Sequence, residues 1–415
     1  MWCKLGHGAK TIDVGAGSPC MIAYIRDSIH VHRRSSSYHG RTGRTDDAMG
    51  GRAFSQELPP DSFPRLPQQL YQSLKDRLRP LLLTLYTIVE VPPEAPAKMD
   101  HGDIDFVVSR PVHGMEEVNP ALVSRILGAV KSVELDSNRT SHYALEISQD
   151  DMLLLSHSLQ RPFPLEKAYI QVDVRVCLDD EEVERLMVLH GYGDLGIMMS
   201  AIVRSHGLSL STKGLKVLSN ARVGDVGGLI FHQAPSPPPD PPILLSSSPR
   251  AIFDFLGLSM DRWNEGFTTI EEIFVFASTS RFFDPRRFRA PQMPAFDKTV
   301  TERTMYHDFR LWAKNKELTT VHYLEEKRDR VEEALLHFGK KNEWDAAAHM
   351  RYTRSWLKNN FNGKLVAEWT GLGWRGVKAV MDDVRASAGD ESALIGRPLE
   401  DIKIMVTASK DSLNL

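Results

Sequence analysis

The 415-residue sequence predicts an α+β or α/β fold, in which a mixed sheet packs on helices and an all-helical domain follows. Three observations carry this. Residues 103–106 and 169–176 each alternate polar and apolar side chains, as half-buried strands do, and the first run continues into the strand formers Val107 and Val108. Segments with apolar residues at helical spacing lie between and around these strands. A proline-rich run at residues 234–242 then separates this half from a long stretch that is helical in pattern.

Bulk properties set limits. The hydrophobic fraction is 42% and the charged fraction 25%, a globular balance for a chain long enough for two domains. The net charge of -3 gives no global field for nucleic acid, so any such binding must come from local patches. Cys3, Cys20 and Cys177 are too few and too scattered for a disulfide framework or a Cys-x-x-Cys metal site. That usage fits a reducing, intracellular compartment, cytoplasmic or nuclear. The sequence contains no apolar run of membrane-spanning length, so no membrane partner is expected.

Residues 1–60 read as a poorly ordered leader without sustained periodicity. A helix begins near Pro67 on Leu70, Leu74 and Leu78, and Pro80 is expected to end or kink it. Residues 85–91 read as a strand that Pro92 and Pro93 terminate. The loop from Glu94 to Gly102 contains Lys98 and His101, each suited to a phosphate or to plain solvent.

The next strand carries the chemistry. Asp103 and Asp105 are two residues apart, so they project from one face while Ile104 enters the core. Two like charges there repel one another and resist burial unless a cation neutralises them. All-oxygen ligands suit Mg²⁺, or Mn²⁺ in its place. Residues 169–176 offer a third carboxylate: Asp173 stands between Val172 and Val174, and Gln171, Asp173 and Arg175 share its face. Asp-x-Asp alone is common at a solvated strand mouth; the second Asp-bearing strand is what raises its weight.

Gly102-Asp103-Ile104-Asp105 before an apolar strand, with Val172-Asp173-Val174 later, resembles the nucleotidyltransferase fold of the DNA polymerase β-like superfamily. The run from Val91 to Lys98 resembles uncharacterised fungal proteins of that superfamily. The resemblance covers the middle of the chain. It implies that Asp103, Asp105 and Asp173 are catalytic and hold two divalent ions about 3.5–4 Å apart. Asp173 would hold the ion beside the acceptor and can take the acceptor's proton. The implied reaction moves a nucleotidyl group from an NTP to a hydroxyl acceptor, such as an RNA end. The superfamily's Gly-Gly/Ser turn for phosphates has no counterpart just upstream. Gly50 and Gly51, with Ser55, are its candidate, and Gly102 and Lys98 complete the expected nucleotide contacts. Two other readings stand beside this one: a catalytically inactive fold that binds nucleic acid or protein, and a small-molecule nucleotidyltransferase.

Further along, Asn119 and Pro120 open a helix with an apolar stripe of Leu122, Ile126, Leu127 and Val130. Residues 142–148 alternate like a strand. Acids at 179–182 start a helix that Gly191 and Gly193 interrupt before it resumes at Leu195. His190, Tyr192 and Asp194 make a polar cluster at the break, read as a helix turn capped by Asp194. Short strands to Val217 close a nucleotidyltransferase-like α/β domain spanning residues 61–230, and residues 231–247 read as a Pro-rich linker or loop.

Residues 248–415 form the helical domain. Helices are expected from Ser248 and over residues 268–283, then in long charged segments to Asn360. Arg286 and Arg287 interleave with Phe282, Phe283 and Phe288, a pattern for a nucleic-acid backbone and stacked bases, or for a loop over an aromatic core. Residues 365–381 read as helix, glycine turn, helix. This resembles a helix-hairpin-helix motif, and equally a segment of the CCA-adding enzymes' helical domain. Arg375 and Lys378 would then flank a phosphate, unless the glycines simply allow two helices to pack closely.

Overall fold

The computed structural model describes residues 52–135, 139–159, 163, 165–218, 242–289, 303–317, 329–389 and 391–415. It is a mixed α+β structure with a C-terminal helical region. Gly50 and Gly51, like residues 219–230 of the expected α/β domain and 231–241 of the expected linker, lie outside the described residues.

Helix α1 (Gln68–Leu83) follows a two-residue strand, β1 (Leu66–Pro67). The helix does not end at Pro80; it runs through it. Leu82, two residues beyond, is fully buried. Packing of this leucine carries the last turn across the missing proline N–H. Strands β2 (Tyr86–Glu90), β3 (Asp100–His101) and β4 (Asp103–Pro111) come next, then α2 (Pro120–Leu127). Asn119 caps α2 as its sequence predicts, accepting from the Ala121 N–H. The apolar stripe expected to reach Val130 stops at Leu127, because Gly128 adopts a left-handed conformation (φ 70°) that ends the helix. Val130 instead belongs to β5 (Ala129–Leu135) and is exposed.

Strand β6 (Thr140–Glu146), α3 (Gln149–Leu159), β7 (Tyr169–Val176), α4 (Asp180–His190) and α5 (Leu195–Arg204) complete this half. Five strands form one sheet in the order β2-β4-β7-β6-β5. Only the β4–β7 pair is parallel. One face is apolar: Ile104, Phe106, Val108, Ile170, Val172, Val174, Tyr143 and Leu145 pack under α1, α2 and α3. On the opposite face, Val107 meets Cys177 and the α4 residues Val183 and Leu186, leaving the Asp103 end of β4 uncovered by that cluster. Phe54, within the segment expected to be a leader, is fully buried and stacks on Phe63.

A second sheet has the order β10-β9-β8, from β8 (Leu208–Ser211), β9 (Gly214–Val217) and β10 (Ile243–Ser246). Strand β10 lies inside the segment read as a linker; Ile243 and Leu245 bury their side chains and supply the anchor that the nearby prolines disguise. Its core extends over α5, α6 (Pro249–Leu256), α7 (Met260–Glu265), α8 (Ile270–Ser278), α9 (Thr304–Lys314) and α10 (Arg330–His337). Helix α8 is shorter than the expected 268–283 because Thr269 caps its start and the chain turns after Ser278. Helix α11 (Lys341–Asn360) buries Trp344 in this core and Leu357 in the next one. That last core unites α12 (Gly363–Thr370), α13 (Trp374–Ala388) and α14 (Leu399–Ser412) around Val366, Val380 and Ile402. Among the described residues no single helix is long and apolar enough to cross a membrane.

Candidate active site on the carboxylate face

The parallel register places Asp105 of β4 opposite Asp173 of β7, and Asp103 opposite Gln171. Neighbouring strands lie about 4.8 Å apart, so facing side chains on one face are within mutual reach. Asp103, Asp105 and Asp173 therefore share one surface, as their spacing along each strand predicts. On the next strand, His142 of β6 is the register partner of Asp173. Its Nδ1 lies 2.7 Å from Asp173 Oδ1. Gln171 donates from Nε2 to the same oxygen at 2.9 Å. Gln171 Oε1 in turn accepts from the Ala53 N–H at 3.4 Å. This contact ties the segment two residues after Gly51 to the carboxylate strand.

The electrostatics are those of an incompletely neutralised cluster. Burial, and then repulsion from Asp173, push the Asp103 carboxyl up to about 6, with Lys98 and Arg65 acting the other way. Asp105 is held well above the usual carboxylate range by burial first, then by Asp103 and Asp173. Water nonetheless reaches Asp105, although protein surrounds it as densely as in an interior; a carboxylate at the floor of a cleft has both properties. His142 is raised: burial alone would lower it, but the hydrogen bond and charge of Asp173 win. Lys98 is exposed, and its charge works against the rise of both Asp103 and Asp105.

The approach to β4 is clamped from behind. Strand β1 pairs with β3, and Arg65 Nη2 lies 2.7 Å from Asp100 Oδ1. His101, read from the sequence as a phosphate or solvent contact, is instead buried; it stacks on Tyr71 with ring centroids 3.6 Å apart and bonds Gln68. Burial, then the Lys98 charge, push its imidazole down to about 4, so it is neutral at pH 7. The Tyr71 phenol is pushed up by burial, by its hydrogen bond to Glu94 and by the charges of Glu94, Asp105 and Asp103. Gly102 joins β3 to β4 at the head of this clamp.

The helix break meets the loop after β2. Tyr192 donates its N–H to Pro93 O at 2.6 Å, seating the loop after β2 against it. Asp194 stands at the start of α5 but makes no capping bond there. Its carboxylate accepts from Arg303 Nη1 at 2.8 Å and from the Tyr306 N–H at 3.1 Å, capping α9 instead. Open N–H groups and the positive end of the α9 dipole draw it across.

The basic candidates lie elsewhere and are matched locally. Arg286 and Arg287 both face Asp284, at 2.9 and 3.8 Å, and Phe282 and Phe283 are core residues rather than an exposed stacking platform. Lys378 pairs with Asp382 one turn along α13, and Arg375 lies over the exposed Trp374 ring.

Could the carboxylate face hold a divalent cation? The donors are oxygen-only, which fits Mg²⁺, and the register brings them to one surface. Among the described residues no group of three His, Cys, Asp or Glu side chains converges as a ready-made metal set. Asp173 Oδ1 is engaged by His142 and Gln171, which leaves Oδ2 outside these two bonds. Sequence reasoning passed over His142 and Gln171 as partners of Asp173. The available signal was their position on the polar side of alternating strands. Compared with known proteins, the chain matches no family model and no curated protein.

Proposed function

We propose that this chain has a nucleotidyltransferase-like fold and transfers a nucleotidyl group from an NTP to a hydroxyl acceptor, such as an RNA end, with Mg²⁺ or Mn²⁺. The observation that carries the reading is the in-register placement of Asp103, Asp105 and Asp173 on one face of two neighbouring parallel strands. Asp103 and Asp105 would hold both ions, and Asp173 the one beside the acceptor. When bound, the cations would neutralise the carboxylates, activate the acceptor oxygen and stabilise the pyrophosphate leaving group. Lys98, whose charge acts on Asp103 and Asp105, would attract a polyphosphate. The clamp formed by His101, Tyr71 and Gln68 fixes where β4 begins and so where Asp103 and Asp105 project. The Ala53–Gln171 contact brings the chain at residue 53 to the carboxylate strand.

A second reading is a catalytically inactive fold that serves as a binding module. The absence of a Gly-Gly/Ser turn just upstream of Asp103 favours it.

The test is pyrophosphate release from each labelled NTP with Mg²⁺ or Mn²⁺, with and without total RNA, for the wild type and Asp103→Ala/Asp105→Ala. Release that vanishes in the double variant supports transfer, and dependence on RNA identifies the acceptor class. A wild type that releases none, and binds no metal-nucleotide by calorimetry, sinks the enzyme reading in favour of the binding module.

A further inference from the structure

Asp173 differs from the other two carboxylates in how it is held. Its Oδ1 is engaged by two donors from two directions, His142 Nδ1 at 2.7 Å and Gln171 Nε2 at 2.9 Å. A carboxylate oxygen accepts about two hydrogen bonds through its lone pairs, so Oδ1 is saturated. Neither donor turns away easily. Gln171 Oε1 receives the Ala53 N–H, which fixes the amide with Nε2 toward Asp173. His142 sits directly across the antiparallel β6–β7 ladder from Asp173, and only about 15% of its side chain is exposed. Its Nδ1 must carry the proton that Oδ1 accepts.

We infer that His142 is a positioning residue which, with Gln171, locks Asp173 so that Oδ2 alone is presented to a bound divalent cation. This role rests on reading the carboxylate face as a cation site. Orienting Asp173 beforehand removes the ordering cost that a free carboxylate would meet on binding. Among the described residues Asp103 and Asp105 have no such pair of partners, so they would adjust to the cation while Asp173 supplies the fixed point.

The experiment is titration of the full chain with Mn²⁺ alone, read from the electron paramagnetic resonance signal of the free ion. Removing a hydrogen-bonding partner of a ligating group lowers metal affinity about 10- to 100-fold, and His142→Leu is expected to fall in that range. His142→Asn places an amide nitrogen near the position of Nδ1, and is expected to restore affinity to within about fivefold of the wild type. Asp173→Asn should make the His142→Leu effect disappear, since the imidazole acts only through that carboxylate. Thermal unfolding checks that each variant is folded; if His142→Leu is not, Gln171→Met removes the other donor and carries the same expectation. Wild-type affinity in His142→Leu, or a His142→Asn variant as weak as His142→Leu, overturns the positioning role. A wild type that binds no Mn²⁺ overturns the cation site itself, and the role with it. That outcome is distinguishable because it does not depend on residue 142.

Discussion

The carboxylate face of the five-stranded sheet and the α12–α13 hairpin both gather charge, and they treat it in opposite ways. On the sheet, three acids of like sign share one surface, and burial and mutual repulsion drive Asp103 and Asp105 toward their protonated forms. On α13, Lys378 and Arg385 both meet Asp382, which Lys378 chiefly holds below the usual carboxylate range. An acid cluster whose repulsion Lys98, Arg65 and His142 offset only in part is a candidate for a ligand that completes the neutralisation. A chain that pairs each charge with its neighbour has completed that task itself. The difference ranks the sheet above the hairpin as the site of chemistry, although both stood out in the sequence.

The largest expected effect breaks or upholds that ranking directly. Asp105→Asn keeps the side chain's shape and removes a ligand charge, and should lower NTP turnover by about 100- to 1,000-fold. Steady-state pyrophosphate release measures it. Turnover that survives in Asp105→Asn would remove the sheet's claim to the chemistry.

Next in size is a test of what holds the helical region. Ile402 on α14 is fully buried among Val366, Val380 and Val406. Truncating it in Ile402→Ala should cost about 3 kcal/mol by loss of burial and creation of a cavity. Denaturant unfolding reads this cost. A negligible loss would mean that the α12–α14 unit is not organised by its apolar core.

A smaller effect sharpens the electrostatic half of the comparison. Folded Asp103 keeps its proton up to about pH 6, whereas an unfolded aspartate releases it near pH 4. The folded state therefore binds more protons between these values, and stability falls as pH rises through the window. The wild type should lose about 1–3 kcal/mol between pH 4 and 7 from this group. Asp103→Asn should flatten that part of the profile and be the more stable protein at pH 7. Millimolar Mg²⁺ should restore the wild type and leave the variant less affected. A wild-type stability that rises over the same interval, with an unchanged slope in Asp103→Asn, would contradict the repulsive cluster.

What was legible in the sequence follows from range. Strands β4 and β7 announce themselves by alternation, and the i, i+2 spacing alone puts Asp103 with Asp105. No local pattern shows that β7 is the parallel neighbour of β4, or that Asp105 faces Asp173; that depends on sheet order. His142 escaped for the same reason, since its partner lies 31 positions away. Strand β10 was hidden because proline composition outweighs a four-residue apolar run. Asp194 reads as a local cap and reaches a helix more than a hundred residues on, where the Tyr306 N–H and Arg303 bind its carboxylate. The outcomes at Pro80 and Val130 are of the opposite kind. At Pro80 tertiary burial overrides a local breaker; at Val130 a glycine ends a helix that apolar spacing would continue.

The smallest expected effect concerns the hairpin. Arg375 and Lys378 lie on the first turns of α13, after Gly371 in a left-handed conformation and Gly373 at the N-cap. Lys378 is committed to an exposed pair with Asp382, which solvent and salt screen. In Arg375→Ala/Lys378→Ala, turnover with a small hydroxyl acceptor should therefore stay within about twofold of wild type. If the hairpin also contacts an RNA acceptor, the same variant weakens RNA binding equally across sequences and reduces the slope of log affinity against log salt by about two. A steep loss of small-acceptor turnover would show that the hairpin's charges reach the reacting groups. The proposed division between an acidic face that reacts and a basic face that does not would then fail.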